Sequence, residues 1–119
     1  MTQLSDAQTD PIAASLAGIR MRFVADLNGR RKELDRLVEA IDDTPEGRER
    51  MRQACRIAHR IVGTAGTLGL PALGEIAAEA EDAMLAATAA EEDEMDLDAV
   101  RTSARRLARA MTEVAEADG

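Results

Sequence analysis

From Leu97 onward the apolar residues fall at Leu97, Val100, Ala104, Leu107, Met111 and Val114, in steps of three and four without a miss. That spacing draws a stripe along one face of an α-helix and destroys the alternation a strand needs. A single striped helix leaves its apolar face in water, so the chain must supply partners for it. It does so three more times. Met51, Ala54, Ala58, Ile61, Ala65 and Leu68 repeat the spacing, and Leu73, Ala77, Ala80, Met84 and Ala87 form another stripe. Ile19, Phe23, Leu27, Leu34, Leu37 and Ile41 form the remaining one, interrupted at Arg30 and open to a bend at Asn28-Gly29.

Start and stop residues divide these stripes. Asp10-Pro11 pairs a capping side chain with a first-turn proline, which predicts a short helix to about Leu16 before the longer one. Thr44-Pro45-Glu46 restarts the chain in the same way, with an acid at the positive helix end. Gly69 closes that helix and Pro71 opens the next. The run Glu91-Glu92-Asp93-Glu94 reads as a loop, and Asp96 as the cap of the last helix. The expected fold is all-α: an up-down-up-down four-helix bundle with a short additional N-terminal helix. Residues 1–10 are expected to be a flexible N-terminal segment, 11–117 the bundle, and the closing Glu116–Gly119 to fray.

Composition narrows the function classes. The chain has 119 residues, one Phe, and no Trp or Tyr, so one modest core must be built from aliphatics, Met and alanines that let helices approach closely. A net charge of −8 opposes nucleic-acid binding, which needs clustered Lys and Arg without competing carboxylates. Cys55 is alone, which excludes an internal disulfide, and no apolar run approaches the ~20 residues of a membrane span. The polar start carries no basic-then-apolar signal segment. A cytoplasmic monomer without nucleic-acid or membrane partners is expected. Cys55 and the internal methionines read as core filler. Arg101, Arg105, Arg106 and Arg109 read as partners for the abundant carboxylates.

The one histidine, His59, lies in Ala58-His59-Arg60-Ile61-Val62-Gly63-Thr64-Ala65-Gly66-Thr67-Leu68-Gly69, a helical stretch interrupted by glycines. Each interior glycine costs a helix roughly 1 kcal/mol relative to alanine. Gly63, at i+4, shares the histidine's face and leaves it uncovered. At ~100° per residue, His59 falls roughly 100–130° from the seam, on a flank shared with Gly63 and Gly66. Val62 and Cys55 lie between it and the core, Arg52 and Arg56 lie on nearly its own side, and Arg60 points further round. Gly66 also reads as permitting close helix packing.

An imidazole so presented has no nucleophile and orienting group beside it for hydrolysis and no second histidine for a metal, so neither metal nor other cofactor is expected. It remains a nucleophile or a proton carrier. With a reference pKa of about 6.5, enough of it is neutral at pH 7 to accept a phosphoryl group.

His59-Arg60-Ile61-Val62-Gly63, preceded by Ala58 and followed by Gly69 and Leu70, resembles the histidine-containing phosphotransfer (HPt) domain pattern. That pattern runs His, any residue, an aliphatic, Lys, Gly, then a second Gly six residues on. The likeness extends through Leu73, Ile76 and Glu81, includes Phe23 and Leu27 on the first long helix, and covers roughly residues 15–115. It implies a four-helix bundle that relays phosphoryl groups between receiver-domain aspartates of response regulators or hybrid histidine kinases. It assigns His59 as phospho-acceptor and Gly63 as the residue that keeps it accessible.

The chain departs from the pattern at Val62, where the family has a lysine facing the phosphoryl group. Arg56, with Arg52 behind it, is the candidate replacement cation. Val62, Gly66 and Leu70, with Ala or Met side chains of the first long helix, are the candidate docking surface. A degenerate module that binds receivers or kinases without transfer is the alternative. A diiron bundle requires Glu-x-x-His pairs that are absent, and a kinase dimerisation helix expects an acid or Asn where Arg60 stands.

Overall fold

The computed structural model of the chain describes residues 11–91 and 94–118, and every striped segment is a helix: α1 (Pro11–Glu39), α2 (Pro45–Ala65), α3 (Pro71–Ala89) and α4 (Leu97–Asp118). The flexible segment expected over 1–10 lies outside the described residues, as do Glu92, Asp93 and Gly119.

The helix starts follow from their capping chemistry. The Thr44 hydroxyl accepts the Gly47 N–H at 3.0 Å, with Pro45 in the first turn of α2. Asp96 Oδ1 accepts the Ala99 N–H at 2.9 Å at the head of α4. At the end of α2, Gly69 takes φ +76° and the chain folds back on itself. The Leu70 N–H reaches the Ala65 carbonyl at 2.8 Å and the Gly69 N–H reaches the Gly66 carbonyl at 3.4 Å. That pair of bonds is the glycine-closed helix end in which only a residue without Cβ takes the left-handed turn at no steric cost. Arg20 of α1 adds a side-chain cap, donating from Nη1 to the Leu68 carbonyl at 2.9 Å.

Each helix packs against its neighbours in sequence, and α1 against α4 closes the ring. The directions alternate. Arg101 at the head of α4 donates to the Ile41 carbonyl just after α1 at 2.8 Å, and Arg48 at the head of α2 donates to the Ala90 carbonyl just after α3 at 3.2 Å. Leu27, Leu34, Ile41, Met51, Ile61, Met84, Leu107 and Met111 are fully enclosed, and no polar side chain is buried among the described residues. Small residues meet where the end of α2 passes the start of α3. A Cβ placed on Gly74 would sit 3.6 Å from the Ala65 Cβ, so the two backbones run close together there.

Expectations change for α1, for the end of α4 and for Met21, which was expected in the core and is 72% exposed. The short N-terminal helix is the first part of α1, which runs unbroken for 29 residues; Gly18 alone, between Ala17 and Ile19, costs too little to end the helix. At about 1.5 Å per residue, α1 overhangs partners of 19 to 22 residues, so Ile19, expected on the core stripe, is 42% exposed. Glu116 and Ala117 belong to α4, whose last turns are held by Val114 and Ala115 against the core.

Candidate functional site

His59 stands on α2, one residue past the buried Ala58, with a side chain 77% exposed. Glu81 on α3 follows the buried Ala80 in the same way, so the two flanks of the α2–α3 seam bring these side chains together. Their separation is 2.6 Å between His59 Nδ1 and Glu81 Oε2. Glu81 is 17% exposed and therefore held in place by its surroundings. A carboxylate only accepts, so the hydrogen of the neutral ring sits on Nδ1 and the lone pair on Nε2. Which ring nitrogen carries the free lone pair is thereby selected by a residue 22 positions away.

A groove of about 580 Å³ between α2 and α3 runs beside the ring, lined by Arg52, Cys55, Arg56, His59, Arg60, Glu81, Leu85 and Thr88. Cys55 closes its floor, its thiol 4.0 Å from the Glu81 carbonyl oxygen. Burial, with the Glu81 charge added, pushes that thiol above its ordinary pKa, so it serves as packing rather than as a nucleophile.

Arg52 and Arg56 share the groove with His59 as their helical spacing implies, yet both guanidiniums turn back toward Glu49. Arg52 Nη1 lies 3.2 Å from Glu49 Oε1 and Arg56 Nη2 lies 3.5 Å from Oε2. Arg60, expected to point further round, lines the groove as well, because a long side chain reaches past the position of its own Cα.

The glycines behave differently from one another. A Cβ on Gly63 or on Gly66 would meet nothing within 4 Å, so both leave open space above the histidine's flank. The packing role expected for Gly66 belongs to Gly74 instead. Val62 and Leu70 are half-buried and lean on the core, which leaves each with only part of its surface to offer a partner.

Three groove residues, Glu81, Leu85 and Thr88, carry no role in the sequence analysis. Glu81 was visible only as a point of family likeness; a carboxylate beside a buried seam position was its signal. Leu85, 54% exposed, follows Glu81 by one turn and stands off the α3 stripe, which is the mark of an apolar side chain facing solvent. Among the described residues no group of His, Cys, Asp and Glu is arranged to hold a metal, and no helix is long and apolar enough to cross a membrane.

Compared with known proteins, residues 19–117 match the family model of the Hpt domain. Neither the curated proteins nor the solved structures give a match.

Proposed function

The chain belongs to the Hpt domain family, the histidine phosphotransfer domains of phosphorelays, and on that premise we propose that it passes a phosphoryl group between His59 and receiver-domain aspartates. The observation that carries this reading is the 2.6 Å bond from Nδ1 to Glu81 in an otherwise exposed ring. In the neutral ring it puts the hydrogen on Nδ1 and leaves the Nε2 lone pair, fixed in direction, for the in-line attack on phosphorus.

In the accepting step the Nε2 lone pair forms the N–P bond as the aspartyl O–P bond breaks, and the electron pair leaves on the aspartate carboxylate. Positive charge developing on the ring is met by Glu81 through the Nδ1 hydrogen. The donating step reverses each bond change. Gly63 keeps the approach clear, Arg56 and Arg52 supply nearby positive charge, and Val62, Gly66 and Leu70 flank the histidine as contacts for the receiver. Leu85 extends that contact on the α3 side.

Incubation with a phosphorylated receiver domain tests the reading. The chain is expected to acquire an acid-labile label, and His59→Gln to remain helical and unlabelled; labelling of the variant at the parental level would refute the assignment. Val62 in the lysine position favours a second reading, a module that binds receivers without transfer. Binding without any label selects it.

A further inference from the structure

The phosphoryl group that His59 would carry brings about two negative charges to a position where Val62 offers no cation. The cations within the groove are Arg52, Arg56 and Arg60, and two of these are engaged by one carboxylate. Glu49 lies on α2 one turn before Arg52 and two turns before Arg56, with its two oxygens divided between them at 3.2 and 3.5 Å. Both arginines are well exposed, 45% and 65%, and Glu49 is 49% exposed. Exposed pairs of this kind contribute little, so they exchange readily for a partner of higher charge.

We propose that Glu49 is a positioning residue that holds the Arg52 and Arg56 guanidiniums off His59 while the ring is free and yields them, Arg56 first, to the phosphoryl group once it is bound. The inference rests on His59 being the phospho-acceptor. Arg56 is the nearer cation, one turn from the histidine, whereas Arg52 is two turns away. Other charge around the exchange is limited. Arg60, next to His59, lines the groove on both sides of Arg56 and is common to every variant compared. Glu81 on α3 is occupied at Nδ1, and Arg30 and Glu33 of α1 border the opposite side of Arg56, where their charges offset one another. The Arg52 hydrogen bond, with Arg56 adding to it, holds the Glu49 carboxyl below the ordinary glutamate range, which keeps it charged and competing for the arginines throughout the neutral range.

Glu49 thereby sets how strongly the arginines bind the phosphorylated state. The consequence is measurable without any receiver domain, because phosphoramidate phosphorylates an accessible imidazole directly. Nearby guanidinium charge stabilises the dianionic over the monoanionic phosphoryl group and lowers the midpoint of its titration, read from the ³¹P chemical shift. Removing the competitor by Glu49→Gln should free the arginines and lower the proton affinity of the phosphoryl group by about two- to fivefold, the scale of an exposed ion pair.

Loss of the carboxylate also changes the local charge directly, so the same substitution is made in an Arg52→Ala/Arg56→Ala background. Abolition of the shift there is expected and supports the exchange. An equal shift in both backgrounds shows a direct charge effect and overturns the inference, as does an unchanged or raised midpoint in Glu49→Gln alone. Absence of any phosphohistidine signal overturns it together with the proposed function, whereas a signal indifferent to Glu49 overturns it alone.

Discussion

At the scale of single residues, the site is a matter of which ring nitrogen of His59 faces Glu81. Glu81 accepts the Nδ1 hydrogen across 2.6 Å and is itself mostly enclosed, so the ring of an exposed histidine is oriented by a partner that does not move freely. Glu81→Ala removes both orientation and the compensating charge, and should slow phosphoryl transfer by roughly 10- to 100-fold, the range that small misplacements of reacting groups produce. Glu81→Gln retains an acceptor oxygen and should lose less. Single-turnover transfer from a phosphorylated receiver distinguishes the two, and equal rates in Glu81→Ala and the parent would remove Glu81 from the mechanism.

At the scale of elements, α2 contains two glycines whose surroundings are opposite. A Cβ on Gly63 meets open space, while a Cβ on Gly47 would stand 1.8 Å from the Asp42 carboxylate oxygen and 2.5 Å from the Asp42 backbone nitrogen. Helix propensity favours alanine at both by up to about 1 kcal/mol. Gly63→Ala should therefore raise the stability of the bundle, and Gly63→Gln should slow transfer by covering the histidine's face. Gly47→Ala must displace the backbone before α2, at a cost of ~1–3 kcal/mol for overpacking, and should lower the melting temperature. Thermal unfolding of the three variants checks both signs; a stabilised Gly47→Ala would mean that the α1–α2 connection gives way easily.

At the scale of the whole molecule, the bundle's stability depends on the connections that lock its ring of helices. Asp42 Oδ1 accepts both the backbone N–H and the hydroxyl of Thr44, and these bonds hold its carboxyl below the ordinary aspartate range. A carboxylate with a lowered folded-state pKa adds stability that is present above its unfolded value, near 3.9, and is lost as pH falls through the folded one. Glu49 acts in the same direction. Urea midpoints should therefore be level from neutral pH down to about pH 5 and fall below pH 4, with a shallower fall in Asp42→Asn. An acid limb as steep in that variant as in the parent would place the sensitive carboxylates elsewhere.

The helices were legible along the chain because their cause is local: a three-four stripe and a capping residue act within a few turns, and the stripes of α2, α3 and α4 all face the core, with Leu97 and Val114 half-buried at the ends of α4. His59 and Gly63 were legible for the same reason, since four residues on one helix share a face whatever packs against it. The length of α1 beyond its partners, the openness above Gly66 and the close approach at Gly74 were not, because each depends on where another helix lies. Nor was the turning of Arg52 and Arg56 toward Glu49, where long side chains choose among neighbours of similar energy. Periodicity determined which face of α2 is buried and that His59 lies outside it. Only the antiparallel packing of α2 on α3 decided that Glu81, 22 residues along, meets Nδ1 and leaves Nε2 facing away from it, because a hydrogen bond between helices is set by the register of their packing and not by spacing within either one.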